Sequence, residues 1–452
     1  MTASLESLLS DVVTRCVRYL ADLDERPVAP SPDAIAALRA LDVPLDEAPV
    51  DARDVVRQLD EIGSPATMAM AGPRFFGLVI GGSLPAALAA DWMTSAWDQN
   101  TCFFNVAPAT AYLETVALRW LLDVLRLPPT SAGAFVTGTT VAHVVALAAA
   151  RHAVLQSVGW NVEADGLFGA PPITVVVGDE AHPTLLKALA VIGVGRARVV
   201  RVATDGQGRM RVERLPALRG PAIVCAQVGN VNTGACDDVR AICVHAGESG
   251  AWVHVDGAFG LWGRVAPTRA HLLDGVEKAN SWATDAHKWL NVPYDSGLAF
   301  VRDGEALRAA MAVTAAYLPS AAERRDPSDY TLESSRRARG VAIYAALRAL
   351  GRSGVRELVE RACRQARDFA DGLRAAGATI LNDVVLNQVL VSFGTAERTR
   401  EVIGALQSEG TMWAGETVWH GQTAMRISVS SSATTDADVQ RCLDAVRRAI
   451  ER

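Results

Sequence analysis

The sequence has 452 residues, of which 50% are hydrophobic and 21% charged, a balance typical of a soluble globular protein rather than a disordered or fibrous one. It is longer than the roughly 250–300 residues at which a single core stops growing, so more than one folding unit is expected. Lys and Arg number 44 against 50 Asp and Glu, and the net charge of −6 argues against nucleic acid or an anionic membrane as a partner. We therefore expect a small-molecule partner.

Cysteine and hydropathy patterns indicate the compartment. The seven cysteines form no Cys-x-x-Cys pair and are odd in number, which is typical of a reducing compartment, so a cytoplasmic location is predicted. They show no zinc-type spacing with the eight histidines, and no metal site is expected. The most apolar stretch, residues 141–150, is far shorter than the about 20 residues of a membrane span, so no membrane association is expected.

The first predicted unit is a helical arm, residues 1–70. Helices are expected over 5–23 and 52–61, on either side of a Pro-rich connector. This arm has too little apolar sequence for a core of its own. We therefore expect it to pack on a partner subunit.

The second unit, residues 71–305, alternates short β-rich segments with amphipathic helices. Strands are predicted at 134–136, 173–177, 197–202, 222–228, 252–256 and 298–302, and helices at 142–157, 183–192 and 238–248. Such alternation predicts a mostly parallel sheet covered by helices. Ligands of these sheets bind beyond the carboxyl ends of the strands.

The remaining residues divide into a linker and a smaller domain. Residues 306–340 are predicted to be an interface loop and linker, with a long polar loop over 320–335. Residues 341–452 are predicted to form a small α+β domain. Its expected helices cover 340–350 and 355–376, and its expected strands 385–393 and 424–429.

The strongest local signal is Lys288, which lies between apolar and aromatic neighbours such as Trp282 and Trp289. In apolar surroundings a lysine loses its charged form and becomes an amine nucleophile. A lysine that covers an aromatic patch with its stem is the alternative interpretation. Further context is needed to decide between the two.

Asp256 supplies that context, because it ends an apolar strand where a carboxylate needs a cationic partner. It could cap a helix or pair with an arginine. Alternatively, its position 32 residues before Lys288 would suit a protonated pyridine nitrogen, and protonation makes such a ring an electron sink.

A third signal is the segment 136–142, where a strand runs into a turn of small residues that opens a helix. Backbone N–H groups at a helix start, beside the hydroxyls of Thr139 and Thr140, can bind an anion. A Thr-rich helix cap without a ligand fits the pattern equally well. The chain contains neither a Walker loop nor Gly-x-Gly-x-x-Gly.

Taken together, these segments resemble the group II pyridoxal-phosphate-dependent amino acid decarboxylases. The resemblance is carried by residues 137–140, 179–182, 254–259 and 285–289, and it extends to 72–77, 108–121 and 335–337. It implies an α/β fold of the aspartate-aminotransferase type: a mostly parallel seven-stranded sheet flanked by helices, with a smaller α+β C-terminal domain. It also implies pyridoxal 5'-phosphate as cofactor and a homodimer with a shared active site.

The resemblance assigns a role to each matching residue. Lys288 would bind the cofactor covalently, and Asp256 would pair with the pyridine nitrogen. His182 would stack on the ring face opposite Ala258. The phosphate would be held by Gly138, Thr139, Thr140 and His287.

Tyr317 bears on the type of reaction. It follows Lys288 by 29 residues, an interval similar to that of a loop tyrosine in the family's aromatic decarboxylases. That tyrosine acts across the dimer interface as a general acid that protonates the α-carbon, and members with Phe there divert to oxidative deamination. The resemblance thus implies decarboxylation of an L-amino acid, with an aromatic substrate one possibility, to the amine and carbon dioxide. Tyr330 is the alternative loop acid.

Three segments depart from the family pattern. Residues 229–234 lack the usual Gly-Thr-Thr, so Asn230 is the expected substitute near the cofactor's phenolic oxygen. Asp285 replaces the usual Asn and brings an anion close to the phosphate. Residues 78–83 lack the Pro-Thr of aromatic decarboxylases, so the substrate cannot be inferred from the family.

Two other functions stay open at this point. The first is an aminotransferase or carbon–carbon lyase on the same fold, because Arg426 lies where aminotransferase relatives carry a carboxylate-binding arginine. The second is a non-catalytic binding protein. Joint retention of Lys288, Asp256 and His182 argues against the second.

Overall fold

The computed structural model describes residues 4–313 and 324–451. The helices are α1 (Leu5–Ala21), α2 (Pro32–Ala37), α3 (Ala52–Gln58), α4 (Pro85–Trp97), α5 (Pro108–Val124), α6 (Thr139–Gln156), α7 (Val162–Asp165), α8 (Pro183–Val191), α9 (Val239–Gly247), α10 (Gly304–Met311), α11 (Gly340–Ala375), α12 (Ala396–Glu409) and α13 (Asp436–Glu451). The strands are β1 (Ala132–Val136), β2 (Thr174–Gly178), β3 (Val200–Val202), β4 (Ala222–Gln227), β5 (Trp252–Asp256), β6 (Ser281–Asp285), β7 (Gly297–Val301), β8 (Thr379–Ile380), β9 (Gln388–Ser392), β10 (Gly415–Trp419) and β11 (Gln422–Ser428).

The larger sheet has the strand order β1-β7-β6-β5-β4-β2-β3. Strands β2 to β6 pair in parallel, whereas β7 runs antiparallel between β1 and β6. The carboxyl ends of β1, β2, β4, β5 and β6 therefore meet at one edge of the sheet. The predicted fold class, a mostly parallel seven-stranded sheet flanked by helices, is confirmed.

Side chains of this sheet alternate between two core layers, as the period of a strand requires. Phe135 and Val176 point into the layer shared with α11, and their neighbours Val136 and Val177 point into the layer filled by α6. Both faces are thus covered, which explains why most residues of these strands are apolar.

Strand β6 was not predicted from the sequence. Its residues Ser281, Thr284 and Asp285 read as polar, yet all are buried. The burial is possible because the polar groups have partners; for example, Ser281 Oγ accepts a hydrogen bond from Trp252 Nε1 at 2.8 Å. A fully buried strand with internal hydrogen bonds has no hydrophobic signature.

The C-terminal part contains the second sheet, in the order β10-β11-β9-β8, with antiparallel pairing. Helices α11 and α12 pack on it and α13 packs on these two helices, as predicted for a smaller α+β domain. The two helices predicted over 340–376 form one long helix, α11, with a break at Gly351, where φ is 60°. A residue without a side chain adopts this left-handed conformation at little cost.

The segment 74–76 joins this second sheet, although the sequence placed it in the larger domain. Phe76 N–H donates to the Trp413 carbonyl at 2.8 Å, and Ser428 N–H donates to the Phe76 carbonyl at 2.9 Å. The rings of Phe75 and Trp413 stack with centroids 5.1 Å apart. Apolar stacking therefore draws the chain onto the C-terminal sheet before it enters the cofactor domain.

The amino-terminal arm buries little of itself within one chain. Helix α1 has no buried residue. Its apolar row, defined here as Leu5, Leu9, Val13, Val17 and Leu20, is 37–71% exposed. Beside this row lies a groove of about 540 Å³ lined in part by Tyr19, Leu59 and Trp92. In the described part of the chain, arm included, no helix has both the length and the hydropathy to span a membrane.

Candidate active site

A cavity of about 510 Å³ opens at the carboxyl edge of the larger sheet. The predicted site residues that line it are Gly138, Thr139, Thr140, His182, Asp256, Ala258, His287 and Lys288. They belong to the segments that follow β1, β2, β5 and β6, which is where ligands bind in sheets of this kind. Among the described residues, no group of three His, Cys, Asp or Glu side chains could hold a metal ion.

Lys288 reaches into the cavity from the turn after β6. Trp282, Ala286 and Trp289 around it are fully buried, as the sequence suggested. Its Nζ, however, lies 3.1 Å from Asp285 Oδ2, in an ion pair. The amine is therefore held by a carboxylate in the free enzyme rather than surrounded only by apolar groups.

Gly81 fixes the backbone beneath Lys288. A Cβ atom added at Gly81 would lie 1.6 Å from the Lys288 carbonyl oxygen, far inside van der Waals contact. The preceding residues Leu78 and Val79 line the cavity and adopt left-handed φ angles of 55° and 61°. Such angles are strained for residues with side chains, and strain of this kind tends to lie at functional sites.

Asp256 ends β5 at the floor of the cavity and is 4% exposed. Burial by itself would raise the pKa of this carboxyl, but His143, His182 and Lys288 together lower it below its ordinary value. The side chain is therefore an anion at any working pH. An anion in this position can hold a proton on a pyridine nitrogen.

His182 caps the start of α8. Its Nδ1 accepts the Thr184 N–H at 3.3 Å and lies 2.7 Å from the Thr184 hydroxyl, which donates to the same atom. Burial lowers the pKa of the imidazole, so the ring is neutral at pH 7 with its proton on Nε2. A neutral, oriented ring at the wall of the cavity can pack on an aromatic cofactor.

The start of α6 carries polar groups suited to a phosphate. Thr139 Oγ1 is buried and makes no hydrogen bond with the described residues. The Thr139 N–H donates to Asp285 Oδ1 at 2.7 Å. The negative charge of Asp285 is thus balanced by a helix N-terminus and by Lys288, so this carboxylate does not oppose a phosphate bound nearby.

His287 adds a second donor to the phosphate side of the cavity. Its Nδ1 accepts the Ser296 N–H at 3.0 Å, and burial lowers the pKa of the ring, so Nε2 carries the proton. The Ser296 hydroxyl, like that of Thr139, is buried without a partner among the described residues. Of these groups, the Thr139 hydroxyl and the His287 imidazole line the cavity, and an orphaned hydroxyl beside a neutral imidazole donor fits the phosphate of pyridoxal phosphate.

Asn230 is not brought into the cavity. It is 1% exposed, and its Oδ1 accepts the N–H groups of Asn232 and Thr233 while its Nδ2 donates to Gln227 Oε1. The amide therefore holds its own turn together. Gln227 and Asn232 line the cavity in its place.

The two candidate loop acids differ in what the structure describes. Tyr317 lies outside the described residues. Tyr330 packs against the core layer that contains α6, with the Arg325 guanidinium 4.5 Å from its ring centroid. It is absent from the described lining of the cavity.

The sequence missed part of the far wall, which comes from the second sheet. Thr417 on β10 and Arg426 on β11 line the cavity. Arg426 makes no hydrogen bond or ion pair with the described residues, and burial lowers its pKa. Arg426 had been considered as a carboxylate-binding residue on a strand predicted over 424–429, whereas strand β10 and Thr417 were not predicted.

Comparison with known proteins agrees with this geometry. A family model described as the pyridoxal-dependent decarboxylase conserved domain matches residues 35–395. Tryptophan decarboxylase 1 of Oryza sativa subsp. japonica is 28% identical over 98% of this chain and 93% of its own. L-2,4-Diaminobutyrate decarboxylase of Rhizobium meliloti (strain 1021) is 28% identical over 90% and 85%. A crystal structure of Oryza sativa TDC with PLP and tryptamine, 25% identical, superimposes with a TM-score of 0.91 over 100% of this chain and 99% of that one.

Proposed function

Since this chain belongs to the pyridoxal-dependent decarboxylase family, and is thus a carboxy-lyase that uses pyridoxal phosphate, we propose that it converts an aromatic L-amino acid to the amine and carbon dioxide. The family, enzyme class and cofactor inferred from the sequence are confirmed. The family match does not support the alternatives of an aminotransferase, a carbon–carbon lyase or a non-catalytic protein.

The cofactor, when bound, supplies an electron sink for the electron pair left by the departing carboxylate. Lys288 supplies the amine that holds it, and Asp285 keeps that amine in place beforehand. Asp256 holds a proton on the pyridine nitrogen. His182 and Ala258 line the space for the ring, and the start of α6 with His287 binds the phosphate. These groups orient the cofactor, and orientation of the bond to be broken selects the reaction.

The apolar rim of the cavity carries the proposal for an aromatic substrate. Leu78, Val79 and Phe259 line it. Its described carboxylates, Asp256 and Asp285, are already engaged on the cofactor side. A cationic side chain, such as that of a diamino acid, would therefore be left without a partner, whereas an apolar side chain would gain by leaving water.

A substrate panel tests this proposal. The holoenzyme is incubated with L-tryptophan, L-tyrosine, L-phenylalanine, L-glutamate and L-2,4-diaminobutyrate, and products are identified by mass spectrometry. We expect amine and carbon dioxide from an aromatic member at a kcat/KM at least about tenfold above that of the others. Preference for 2,4-diaminobutyrate would contradict the proposal.

Arg426 favours a second candidate, an acidic L-amino acid. It is a partly buried cation in the cavity with no partner among the described residues. A carboxylate on the substrate side chain would satisfy it by a charge-assisted hydrogen bond. L-Glutamate in the same panel tests this candidate.

We also propose that the enzyme is a homodimer. The support is the apolar row of α1, whose side chains remain 37–71% exposed against the described part of the chain. Contiguous exposed apolar surface of this kind marks an interaction site. A second copy of the chain is the partner that a shared active site would require.

Tyr317 is proposed as the residue that protonates the α-carbon from the partner subunit. This rests on its spacing from Lys288, since the residue lies outside the described ranges. With dissolved oxygen as oxidant and water, Tyr317→Phe is expected to release aldehyde, carbon dioxide, ammonia and hydrogen peroxide in place of amine and carbon dioxide, with Tyr330→Phe as the matched control that keeps amine as product. Unchanged amine formation by Tyr317→Phe would contradict the assignment.

A cytoplasmic location remains part of the proposal. All seven cysteines are free thiols in the structure, and five of them are buried. Thiols in this state suit a reducing compartment. Fractionation of cells that express the tagged protein tests it.

A further inference from the structure

Two buried histidines lie behind Asp256, on the side away from the cavity. His143 on α6 has its Nε2 3.5 Å from Asp256 Oδ2 and its Nδ1 2.9 Å from His254 Nε2. His254 Nδ1 in turn lies 2.8 Å from Ser281 Oγ. All three polar side chains are 0% exposed. His143, His254 and Ser281 therefore form a chain of contacts that ends on Asp256.

The groups at the two ends of this series of contacts determine the direction in which each hydrogen bond is donated. At one end, Trp252 Nε1 can only donate, and it lies 2.8 Å from Ser281 Oγ. The Ser281 hydroxyl hydrogen is then free to donate to His254 Nδ1. His254 donates through Nε2 to His143 Nδ1, and the remaining proton of His143 is on Nε2, facing the carboxylate. Every donor points toward Asp256, which as an anion can only accept.

If every hydrogen bond were donated in the opposite direction, the Ser281 hydroxyl would be left without an acceptor. If His143 donated through Nδ1, His254 would have to donate through Nδ1 to Ser281, and the serine hydroxyl hydrogen would have no acceptor among its described side-chain contacts. Burial also lowers the pKa of His254 to about 3, so this ring is neutral. Both tautomers are thus set by hydrogen bonding alone.

The last contact is the one left open. His143 Nε2 is buried and makes no hydrogen bond with the described residues; the Asp256 oxygen at 3.5 Å is too far for a good one. A buried donor without an acceptor lowers the free energy of unfolding, so the retention of His143 here calls for an explanation. Its neighbours on α6, from Ala142 to Ala150, are otherwise apolar.

We propose that His143 is a positioning residue, which donates from Nε2 to Asp256 and holds that carboxylate anionic and oriented toward the pyridine nitrogen of the cofactor. His254, Ser281 and Trp252 act through His143 by fixing its tautomer. The proposal rests on the cofactor assignment and not on the identity of the substrate. It assigns His143 a role beyond that of a histidine satisfied within the core.

Other groups also act on Asp256 and must be kept constant in a test. His182 and Lys288 face it from the segments before α8 and after β6, and His254 lies two residues earlier on β5. Cys225 on β4 and Asp237 are also close enough to interact with it electrostatically. A substitution confined to His143 leaves all of these unchanged.

The experiment compares His143→Gln with His143→Asn. The amide of Gln reaches the position of Nε2 and retains a donor for Asp256, whereas the shorter Asn reaches only that of Nδ1, near His254. His152→Asn is the matched control, because His152 lies on the same helix, α6, but pairs with Glu163. For each variant the apoenzyme is examined by thermal unfolding and then titrated with pyridoxal phosphate.

We expect His143→Asn to bind pyridoxal phosphate about tenfold more weakly, by analogy with loss of other supporting hydrogen bonds. His143→Gln should stay within about threefold of the unaltered enzyme, and His152→Asn should be unchanged. The ¹⁵N signal of ring-labelled cofactor should report loss of the pyridine proton about one pH unit lower in His143→Asn, because the Asp256 carboxylate is no longer held in line with the ring nitrogen. A core histidine without this role would not shift that signal.

Two results would overturn the proposal. One is equal cofactor affinity and equal ring protonation in the Gln and Asn variants. The other is an apoenzyme that fails to fold in both variants or in His143→Asn alone, since the role of His143 would then be packing. Neither result would affect the assignment of a decarboxylase, which rests on product analysis.

Discussion

The cofactor cavity and the amino-terminal arm differ in how far one chain provides contacts for their side chains. In the cavity both carboxylates have a neighbour in the same chain: Asp285 pairs with Lys288, and Asp256 lies 3.5 Å from the His143 ring behind it. In the arm, α1 leaves its apolar row exposed and has no buried residue. The first region places its carboxylates beside partners of the same chain but leaves Thr139 Oγ1, His143 Nε2 and Arg426 without hydrogen bonds among the described residues, whereas the second leaves apolar side chains exposed.

This difference separates two requirements of the enzyme. Binding and orienting the cofactor depend on groups that a single chain provides. Covering the arm depends on another surface. Changes in the cavity should therefore alter chemistry without altering assembly, and changes in the arm should do the reverse.

The largest effect is expected from Lys288→Ala, which tests whether a change in the cavity abolishes activity without altering assembly. Amine formation should fall more than about 1000-fold, because no other amine can hold the cofactor there. The borohydride-reducible absorption band should disappear. Sedimentation velocity should remain that of the unaltered protein, and Lys187→Ala, an exposed lysine on α8, should change neither property. Retained activity in Lys288→Ala would refute the assignment.

A change in the arm tests the opposite side. The double variant Leu9→Glu/Val13→Glu places two charges in the apolar row of α1. If two copies cover this row, the lost burial is worth about 3–5 kcal/mol, and the dimer dissociation constant should rise at least about 100-fold. Analytical ultracentrifugation measures it. Thr14→Glu, an exposed residue of α1 outside the row, should have little effect; an unchanged constant in the double variant would place the dimer contact elsewhere.

A smaller effect is expected from Gly81→Ala, which tests how closely the backbone beside Lys288 is packed. The new methyl would collide with the Lys288 carbonyl, and such overpacking costs about 1–3 kcal/mol of unfolding free energy. Gly404→Ala in α12 has no atom within 4 Å of its new Cβ and should stabilise by about 0.5–1 kcal/mol. Urea unfolding of both at one protein concentration measures the pair. Equal effects would mean that Gly81 is not closely packed.

The smallest effect is expected from Arg426→Met, which removes a cavity cation that has no partner among the residues the structure describes. With an aromatic substrate, KM should rise about threefold and kcat stay unchanged, since only a weak attraction for the substrate carboxylate is lost. Steady-state kinetics measure the two constants separately. A rise above about 100-fold, seen with L-glutamate, would instead favour the acidic substrate.

Much of the cavity was predictable because its residues follow strands. Asp256 and Thr139 were found from an apolar strand and the polar residues that end or follow it; parallel pairing places the end of β5, and two antiparallel pairings through β7 bring the end of β1 to the same edge. Asp285 was noticed only as a departure from a family pattern. Its hydrogen bond to the Thr139 N–H could not be foreseen, because that contact joins residues 146 positions apart.

Other features had no signal in the sequence. No strand was predicted at Ser281 and Thr284, because they are polar and the hydrogen-bonding partners that allow their burial lie on other elements. Asn230 was expected to face the cofactor, yet its amide makes local hydrogen bonds that depend on the turn conformation. His143 appeared to be a single polar residue in an apolar helix, and only the packing of α6 on β5 brings it to Asp256.

The segment 74–76 also constrains the order in which the chain can fold during synthesis. Its partners, among them Thr411 and Trp413, lie more than 330 residues later, since Arg74 Nε donates to the Thr411 carbonyl across a separation of 337. Val28 N–H similarly donates to the Gly410 carbonyl. On the ribosome these early segments must wait until almost the whole chain has emerged, whereas the larger sheet, complete at Val301, can assemble first.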